Sequence, residues 1–324
     1  MHKRALLVGI DHYDHVSGLS GCVRDVEAVA DVLATNGDGS PNYDCQLLMS
    51  PGTTHPITRA FLRQKWEELF HSFEGDVFFY FSGHGAPTTV GGYLVTQDAT
   101  TGDPGLAMND LLLLANGSKA KSALLVLDCC FSGSLGNPPN LQPQGSMDQA
   151  QLREGVTVLA ASRPAQVAME VDGHGVFTEL FVGALNGGAA DVRGRVSAAS
   201  VYAYVEAALG PWDQRPLYKS HANRLDPVRL CLPKVPDSLL RELPRLFPQP
   251  DFQFQLDPTF EETEKPVAKP ANVAVFKKFK KLQIAGLLRT GSGDDLYWAA
   301  IRSEGAYLTP LGHFYWRLAK NKRL

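Results

Sequence analysis

The chain has 324 residues, of which 44% are hydrophobic and 20% charged, enough for one large domain and a smaller one. It has no apolar run of about 18 residues, so we expect no membrane-spanning helix. The run Ala5–Ile10 is too short for a signal peptide, and we expect a strand there. The five cysteines are sparse and form no CxxC pair, which favours free thiols in a cytoplasmic protein.

Short apolar runs alternate with amphipathic segments over most of the chain. The runs predict strands at Ala5–Ile10, Gln46–Met49, Val77–Phe81, Ala123–Leu127, Val156–Ala160 and Val228–Leu232. The amphipathic segments predict helices at Val23–Thr35, Pro56–Phe73, Asn109–Asn116, Gly175–Leu185 and Ala198–Ala208. This alternation indicates βαβ crossovers, and therefore an α/β fold with a mostly parallel six-stranded sheet and helices on both faces. Such a sheet carries its site beyond the carboxyl ends of its strands.

Composition divides the chain further. Residues 134–154 combine Gly, Pro, Gln and Asn without periodicity, which predicts a flexible loop. Residues 233–272 are rich in Pro, which predicts a linker or arm. After the second segment, residues 273–324 contain two amphipathic helical patterns. We therefore predict a main domain at 1–232, a linker at 233–272 and a small α(+β) module at 273–324.

Two chemistry-bearing residues follow predicted strands and stand beside glycines. His84 lies in "FYFSGHG" and Cys130 in "LVLDCCFSG", each just beyond the end of a buried strand. Glycines there let the backbone turn sharply and approach a substrate. An imidazole that meets a thiol can deprotonate it and later protonate a leaving amine. His174 also lies between glycines, but it precedes a predicted helix, so we interpret it as a loop residue.

Four stretches, in this order, resemble the caspase-like cysteine peptidases, and most closely the metacaspases and their prokaryotic relatives. They are "GLSGCVRDVEAV", "FYFSGHG", "LVLDCCFSG" and "ASRPAQVAMEVDGHGVFTELFVGAL", and the resemblance covers about residues 4–232. It implies a caspase-like sheet and a catalytic dyad of His84 and Cys130. Cys129 falls on a variable position of the motif, and we interpret it as a packing residue.

The resemblance also implies where a peptide substrate binds. We expect backbone N–H groups of Gly85 and Cys130 to form the oxyanion hole. The stretch after the fifth strand edges the substrate groove in this family. Its residues Ser162, Arg163 and Gln166 are therefore expected to pair with the substrate backbone as an added strand does.

Four residues match the positions that line the primary specificity pocket of metacaspases: Cys22, Asp25, Ser82 and Asp128. Two carboxylates in one small pocket favour a cation and disfavour a third negative charge. We therefore expect cleavage after Arg, with Lys as a second substrate residue. The alternatives are a surface carboxylate for Asp25 and a strand-end cap for Asp128.

The proposed chemistry requires no cofactor and no metal, although many metacaspases need calcium. Asp98, Asp103 and Asp110 follow the histidine, but the dense acidic loop of calcium-dependent members is thinned out here. Calcium dependence is therefore left open.

A protease of this kind must be kept inactive until it is needed, either as a zymogen or by a partner protein. Arg153 is the one basic residue of the 134–154 loop, so cleavage after it, by the enzyme itself or by an upstream protease, is one hypothesis for activation. The alternative is that Arg153 only flanks the next strand.

The C-terminal residues differ in charge from the rest of the chain. Residues 265–324 hold 12 Lys and Arg against three acidic residues, whereas the whole chain has a net charge of −3. The pattern resembles small winged-helix-like modules. We expect it to bind a regulatory protein, with docking on the acidic main domain as a second option and nucleic acid as a third.

The sequence thus predicts a cysteine endopeptidase that cleaves proteins after Arg, in a bacterial regulatory or defence pathway known by family analogy alone. The alternative is a catalytically silent adaptor of the same fold that recruits partners through its basic module. A thiol amidase acting on small substrates is a further alternative.

Overall fold

The structure, a computed structural model, describes residues 3–52, 54–88, 91–100, 102–129, 152–161, 170–171, 174–209, 216–222 and 226–324. It divides into a first unit of residues 1–190 and 195–231 and a second unit of 191–194 and 232–324. No helix within these described ranges is both long and apolar enough to cross a membrane.

The elements of the first unit follow in chain order. They are β1 (Lys3–Ile10), α1 (Cys22–Ala34), β2 (Asp44–Ser50), α2 (Arg59–Phe70), β3 (Asp76–Ser82), β4 (Gly85–Thr88), β5 (Gly91–Thr100), β6 (Asp103–Ala107), α3 (Met108–Gly117), β7 (Ser122–Asp128), β8 (Val156–Ala160), β9 (Glu170–Val171), β10 (His174–Gly175), α4 (Val176–Gly183), a π-helical turn (Ala184–Gly188), β11 (Arg195–Val196), α5 (Ala198–Leu209), β12 (Leu217–Ser220) and β13 (Arg229–Leu230).

Six strands form the central sheet, in the order β12-β8-β7-β3-β1-β2. All pairs are parallel except β12 with β8, which confirms the mostly parallel six-stranded sheet. Alternate residues of β1 enter two separate apolar clusters: Leu6 and Val8 belong to one, and Ala5 and Leu7 to the other. Both faces of the sheet are therefore covered, which is why its inner strands are continuous apolar runs.

One predicted strand of the sheet was wrong. We expected the sixth strand at residues 228–232, but β12 occupies that place, and β13 pairs instead with β11 in a two-stranded ribbon. The four residues of β12 are all only partly buried, as suits an edge strand, so they lack the apolar run that identified the others. The sequence also gave no signal for the small antiparallel sheet β4-β5-β6, whose Gly, Pro and Thr content is typical of loops.

Gly9 of β1 sets how closely α1 approaches the sheet. A Cβ on Gly9 would lie 2.8 Å from Cγ2 of Val26 and would also collide with the carbonyl oxygen of Cys22. We expect Gly9→Ala to lower the free energy of unfolding by about 1–3 kcal/mol, because backbone and packed side chain must both move. Urea unfolding measures this.

The matched control is Gly117→Ala in α3, where a Cβ meets no heavy atom within 4 Å. It should leave the stability unchanged or raise it slightly, because alanine favours the helix. Equal stability of both variants and the unaltered protein would contradict the close approach.

The second unit has its own elements and core. Its elements are α6 (Asp237–Leu246), β14 (Phe254–Gln255), a 3₁₀ turn (Pro258–Phe260), α7 (Pro270–Ile284), β15 (Leu288–Thr290), α8 (Leu296–Ile301), β16 (Gly305–Leu308) and α9 (Pro310–Lys320). The strands form an antiparallel sheet in the order β14-β16-β15. Thr309 caps α9, because its side chain accepts a hydrogen bond from the Gly312 N–H.

The linker interpretation of residues 233–272 is wrong for most of that segment. Helix α6 begins at Asp237, and its four leucines enter the same apolar cluster as Phe276 and Phe279 of α7. The leucines recur at helical spacing, but the prolines around them masked this pattern in the sequence. The winged-helix likeness of the unit stays a prediction.

Because residues 233–272 belong to the same unit as the basic C-terminal residues, the unit as a whole is less positive than residues 265–324 alone. Residues 232–324 carry 15 Lys and Arg against ten Asp and Glu. Three lysines of α7 pair with acids of the preceding segment: Lys277 with Glu262 at 2.8 Å, Lys278 with Glu242 at 2.7 Å and Lys280 with Glu261 at 3.2 Å. The cationic face of α7 is thus partly neutralised within its own unit, which weakens the case for nucleic acid.

Candidate functional site

The carboxyl ends of β3 and β7 are neighbours at one edge of the sheet. Ser82, the last residue of β3, is in register with Asp128, the last residue of β7. One residue further on, the Gly83 N–H donates to the Asp128 carbonyl oxygen at 3.4 Å, and Cys129 is buried. The chain therefore leaves the sheet at neighbouring points after Ser82 and after Asp128. Cys130 itself lies outside the described residues.

The backbone of His84 is fixed on both sides. Its N–H donates to the Tyr13 hydroxyl at 2.8 Å, and its carbonyl oxygen accepts from the Val95 N–H at 3.0 Å. The Tyr13 ring also packs on the imidazole, with 4.9 Å between ring centroids. Gly83 is required here, because a Cβ on it would lie 2.8 Å from the Tyr13 hydroxyl oxygen. Burial raises the pKa of Tyr13, so it stays a neutral phenol.

The imidazole of His84 has a defined hydrogen-bond partner. Its Nε2 lies 2.9 Å from the carbonyl oxygen of Ser17. A carbonyl oxygen only accepts, so Nε2 is the donor in this contact and Nδ1 is the ring nitrogen left for proton exchange. His84 is thereby prepared to accept a proton at Nδ1. Neither Ser17 nor Tyr13 was found by sequence reasoning, because both lie in an irregular loop after β1 that carries no motif.

The four residues expected to line the specificity pocket are all buried. Cys22 and Asp25 lie on the first turn of α1, while Ser82 and Asp128 end their strands. The Ser82 hydroxyl donates to Oδ2 of Asp25 at 3.1 Å. The surface-carboxylate alternative for Asp25 is wrong, because its exposed fraction is only 2%.

The two carboxylates of this pocket converge on Gly175. A Cβ placed on Gly175 would lie 2.9 Å from Oδ2 of Asp128 and 3.4 Å from Oδ2 of Asp25. A side chain at position 175 would collide with Asp128, so only glycine lets both carboxylates come this close; we call their surroundings the acidic recess. The structure therefore brings together an acidic recess and the histidine at the same edge of the sheet.

A third aspartate fixes the start of α1. Asp11 follows β1, and its carboxylate accepts hydrogen bonds from the N–H groups of Cys22 at 2.8 Å and Val23 at 3.3 Å. It thus caps the helix from a distant point of the chain, since the local cap residue Gly21 has no side chain. Sequence reasoning missed this role.

Cys22 is not a nucleophile in this environment. Burial raises the pKa of its thiol, and the negative charges of Asp11, Asp25 and Asp128 raise it further. A thiol that stays protonated serves as a wall of the recess.

Several predicted residues cannot be placed. Ser162, Arg163 and Gln166 lie outside the described residues, as does the side chain of His174. The backbone of His174 forms the short β10, which pairs with β9, so it does not lie in a plain loop.

Arg153 is described, and its side chain is engaged. Its guanidinium donates to the carbonyl oxygens of Ala115 at 3.3 Å and Ala120 at 2.9 Å, and its backbone N–H donates to the Asn116 side chain. These contacts close the C-terminal end of α3. They favour the alternative in which Arg153 has a structural role beside the next strand, and cleavage after it stays a prediction.

The three aspartates considered for calcium have other partners. Asp103 pairs with Arg59 at 2.6 Å, and Asp110 pairs with Arg63 at 3.1 Å. Asp98 accepts from the Arg59 N–H at the start of α2. Within the described part of the chain, no group of three or more His, Cys, Asp or Glu side chains is arranged to hold a metal ion. Calcium dependence is untested.

Comparison with known proteins gives a consistent result. The sequence model of the caspase domain matches residues 2–226. Metacaspase-2 and metacaspase-3 of Trypanosoma brucei brucei are each 29% identical in an alignment of 188 residues, and the matches cover 48% of this chain. The matches cover 51% and 49% of those proteins, so the chain spans about half the length of the curated relatives it matches.

A solved structure from Geobacter sulfurreducens superposes with a TM-score of 0.53 and 18% identity. The superposition covers 71% of this chain and 100% of the chain in that structure. This likeness concerns the fold alone.

Proposed function

The chain belongs to the caspase family, and from this premise we propose that it is a cysteine endopeptidase cleaving proteins after Arg, and less readily after Lys. The acidic recess is the observation that supports the specificity, because the buried carboxylates of Asp25 and Asp128 converge on Gly175 at the sheet edge that holds His84. A substrate Arg would satisfy both carboxylates with its planar array of N–H donors, whereas an Asp would add a third negative charge.

The proposed reaction uses Cys130 as nucleophile and His84 as acid and base. Nδ1 of His84 takes the thiol proton, and the thiolate attacks the carbonyl carbon of the scissile peptide bond. The imidazolium then gives its proton to the leaving amine, and a thioester forms. Water attacks the thioester while His84 accepts its proton, and the acid product and free thiol are released. The hydrogen bond from Nε2 to Ser17 supports this role, since it holds the ring and stabilises the imidazolium.

Strand register supports the oxyanion hole. Gly85 is opposite Leu94, and the Val95 N–H donates to the His84 carbonyl oxygen, so Gly85 and Leu94 form a non-hydrogen-bonded pair. The Gly85 N–H consequently points away from β5. It is free of the strand ladder for the developing oxyanion, together with the N–H of Cys130 in our proposal.

Cleavage of a peptide library tests the function. We expect products that end in Arg, fewer that end in Lys and none that end in Asp, with all activity lost in Cys130→Ala. Repeating the assay with calcium and with a chelator tests calcium dependence. An inactive protein would indicate the adaptor function, and activity that survives Cys130→Ala would exclude the proposed nucleophile.

A further inference from the structure

A buried hydroxyl pair lies behind the acidic recess. Thr178 of α4 is 1% exposed, and its hydroxyl donates to Oδ2 of Asp128 at 2.5 Å. The hydroxyl of Tyr80, a fully buried residue of β3, lies 2.5 Å from the same Thr178 oxygen. The three groups therefore form a series of hydrogen bonds that ends at the Asp128 carboxylate.

The number of hydroxyl protons fixes the donor and the acceptor of each hydrogen bond in this series. Thr178 has one hydroxyl proton, which it donates to Asp128, so its oxygen must accept the hydrogen bond from Tyr80. Burial raises the pKa of Tyr80 well above its ordinary value, and the charges of Asp128 and Asp25 raise it further. Tyr80 therefore remains a donor, and both O–H dipoles point towards the Asp128 carboxylate.

The two carboxylates of the recess are held in a similar way from different elements. Ser82 holds Oδ2 of Asp25, and Thr178 holds Oδ2 of Asp128. A guanidinium binds well only when the carboxylate planes match its flat, rigid donor array. An ammonium is a compact charge with rotating donors and depends far less on that orientation.

We infer that Thr178, supported by Tyr80, is a specificity-positioning residue that orients Asp128 and so makes the recess prefer Arg over Lys. This inference rests on the proposed function, because it concerns the substrate residue bound in that recess. No motif assigned this role to Thr178, because its contact with Asp128 arises only when α4 packs against the end of β7.

The test compares two peptides, acetyl-Gly-Gly-Arg and acetyl-Gly-Gly-Lys, each with a fluorogenic leaving group. Thr178→Val keeps the shape of the side chain and removes the hydroxyl. We expect kcat/KM to fall about 10- to 100-fold for the Arg peptide, as for loss of one hydrogen bond to a charged group, and less than about 3-fold for the Lys peptide. Thr178→Ser should restore most of the preference for Arg. Tyr80→Phe should shift the ratio in the same direction by a smaller factor.

Thr157→Val is the matched control. Thr157 is a buried threonine of β8, and its hydroxyl oxygen lies 2.7 Å from that of Ser220. It lies near the amino end of β8, whereas the recess lies at the carboxyl ends of the sheet strands. It should change stability but leave the Arg-to-Lys ratio unaltered. Equal losses on both peptides in Thr178→Val, or an equal ratio change in Thr157→Val, would overturn the inference. If Thr178→Val does not fold, an unchanged ratio in Tyr80→Phe would overturn it.

Measuring the binding of uncleavable peptides distinguishes a failure of this inference from a failure of the proposed function. Calorimetry would use the Cys130→Ala protein, with and without Thr178→Val, and the amides acetyl-Gly-Gly-Arg-NH₂ and acetyl-Gly-Gly-Lys-NH₂. Preferential Arg binding that depends on Thr178, without any cleavage by the unaltered protein, would support the inference and contradict the peptidase. Arg binding that does not depend on Thr178, in a protein that cleaves, would do the reverse. Absence of both binding and cleavage would overturn both.

Discussion

His84→Ala should lower kcat/KM for an Arg peptide by about 10³-fold while the protein stays folded, because positioned acid–base groups typically contribute 10²- to 10⁴-fold. The structure makes the expectation specific to this histidine. Its backbone is bound by Tyr13 and Val95, and its Nε2 by Ser17, so the ring is held in place with Nδ1 as the nitrogen left to accept a proton. Initial rates and circular dichroism measure activity and fold separately.

His174→Ala is the matched control, since His174 also stands between two glycines of the sequence. It should retain most of the activity. If His174→Ala lost as much activity as His84→Ala, or if His84→Ala stayed active, the assignment of the base would be wrong.

Asp128→Asn should reduce cleavage after Arg by a factor between about 30 and 5,000, the equivalent of the ~2–5 kcal/mol lost when one partner of a buried charge pair is neutralised. Asn keeps the volume of the side chain and removes the charge. Cleavage after citrulline, which has the shape of Arg without its charge, should be weak in both proteins and change little. Comparing kcat/KM for the two peptides isolates the charge of the substrate residue.

Asp76→Asn is the control for this prediction. Asp76 is buried like Asp128, but it lies at the other end of the same strand pair, where it is in register with Ser122. Its Oδ2 lies 3.9 Å from Nζ of Lys3. It should cost stability without changing the substrate residue preferred. Equal losses for Arg and citrulline peptides in Asp128→Asn would show that the carboxylate does not recognise the cation.

The sequence predicted five of the six sheet strands closely, because inner parallel strands are covered on both faces and therefore read as unbroken apolar runs. Edge strand β12 and the small sheet after His84 are only partly covered or rich in turn residues, so the same signal fails there. Helix α6 was lost for another reason. Its leucines are periodic, but prolines on both sides made the segment resemble a linker.

The positions of His84, Ser82 and Asp128 at or just beyond strand ends were predictable, because a motif marks each strand end. Contacts that depend on how distant elements pack were not predictable. Tyr13, Ser17 and Thr178 act through such contacts, and each was found only from distances. Arg153 was noticed in the sequence only as a basic residue in a polar loop, and the structure adds that its guanidinium donates to carbonyl oxygens at the end of α3. Cleavage after it stays a prediction.

Labelling with an electrophile tests the account most directly, because it reports the reactive thiol and the recess together. The reagent is a peptidyl acyloxymethyl ketone with Arg as its recognition residue, and peptide mapping by mass spectrometry locates the adduct. We expect one adduct, on Cys130, and little labelling by the matching Asp reagent. An adduct on Cys22 or Cys129 instead, or equal labelling by the Asp reagent, would contradict the account.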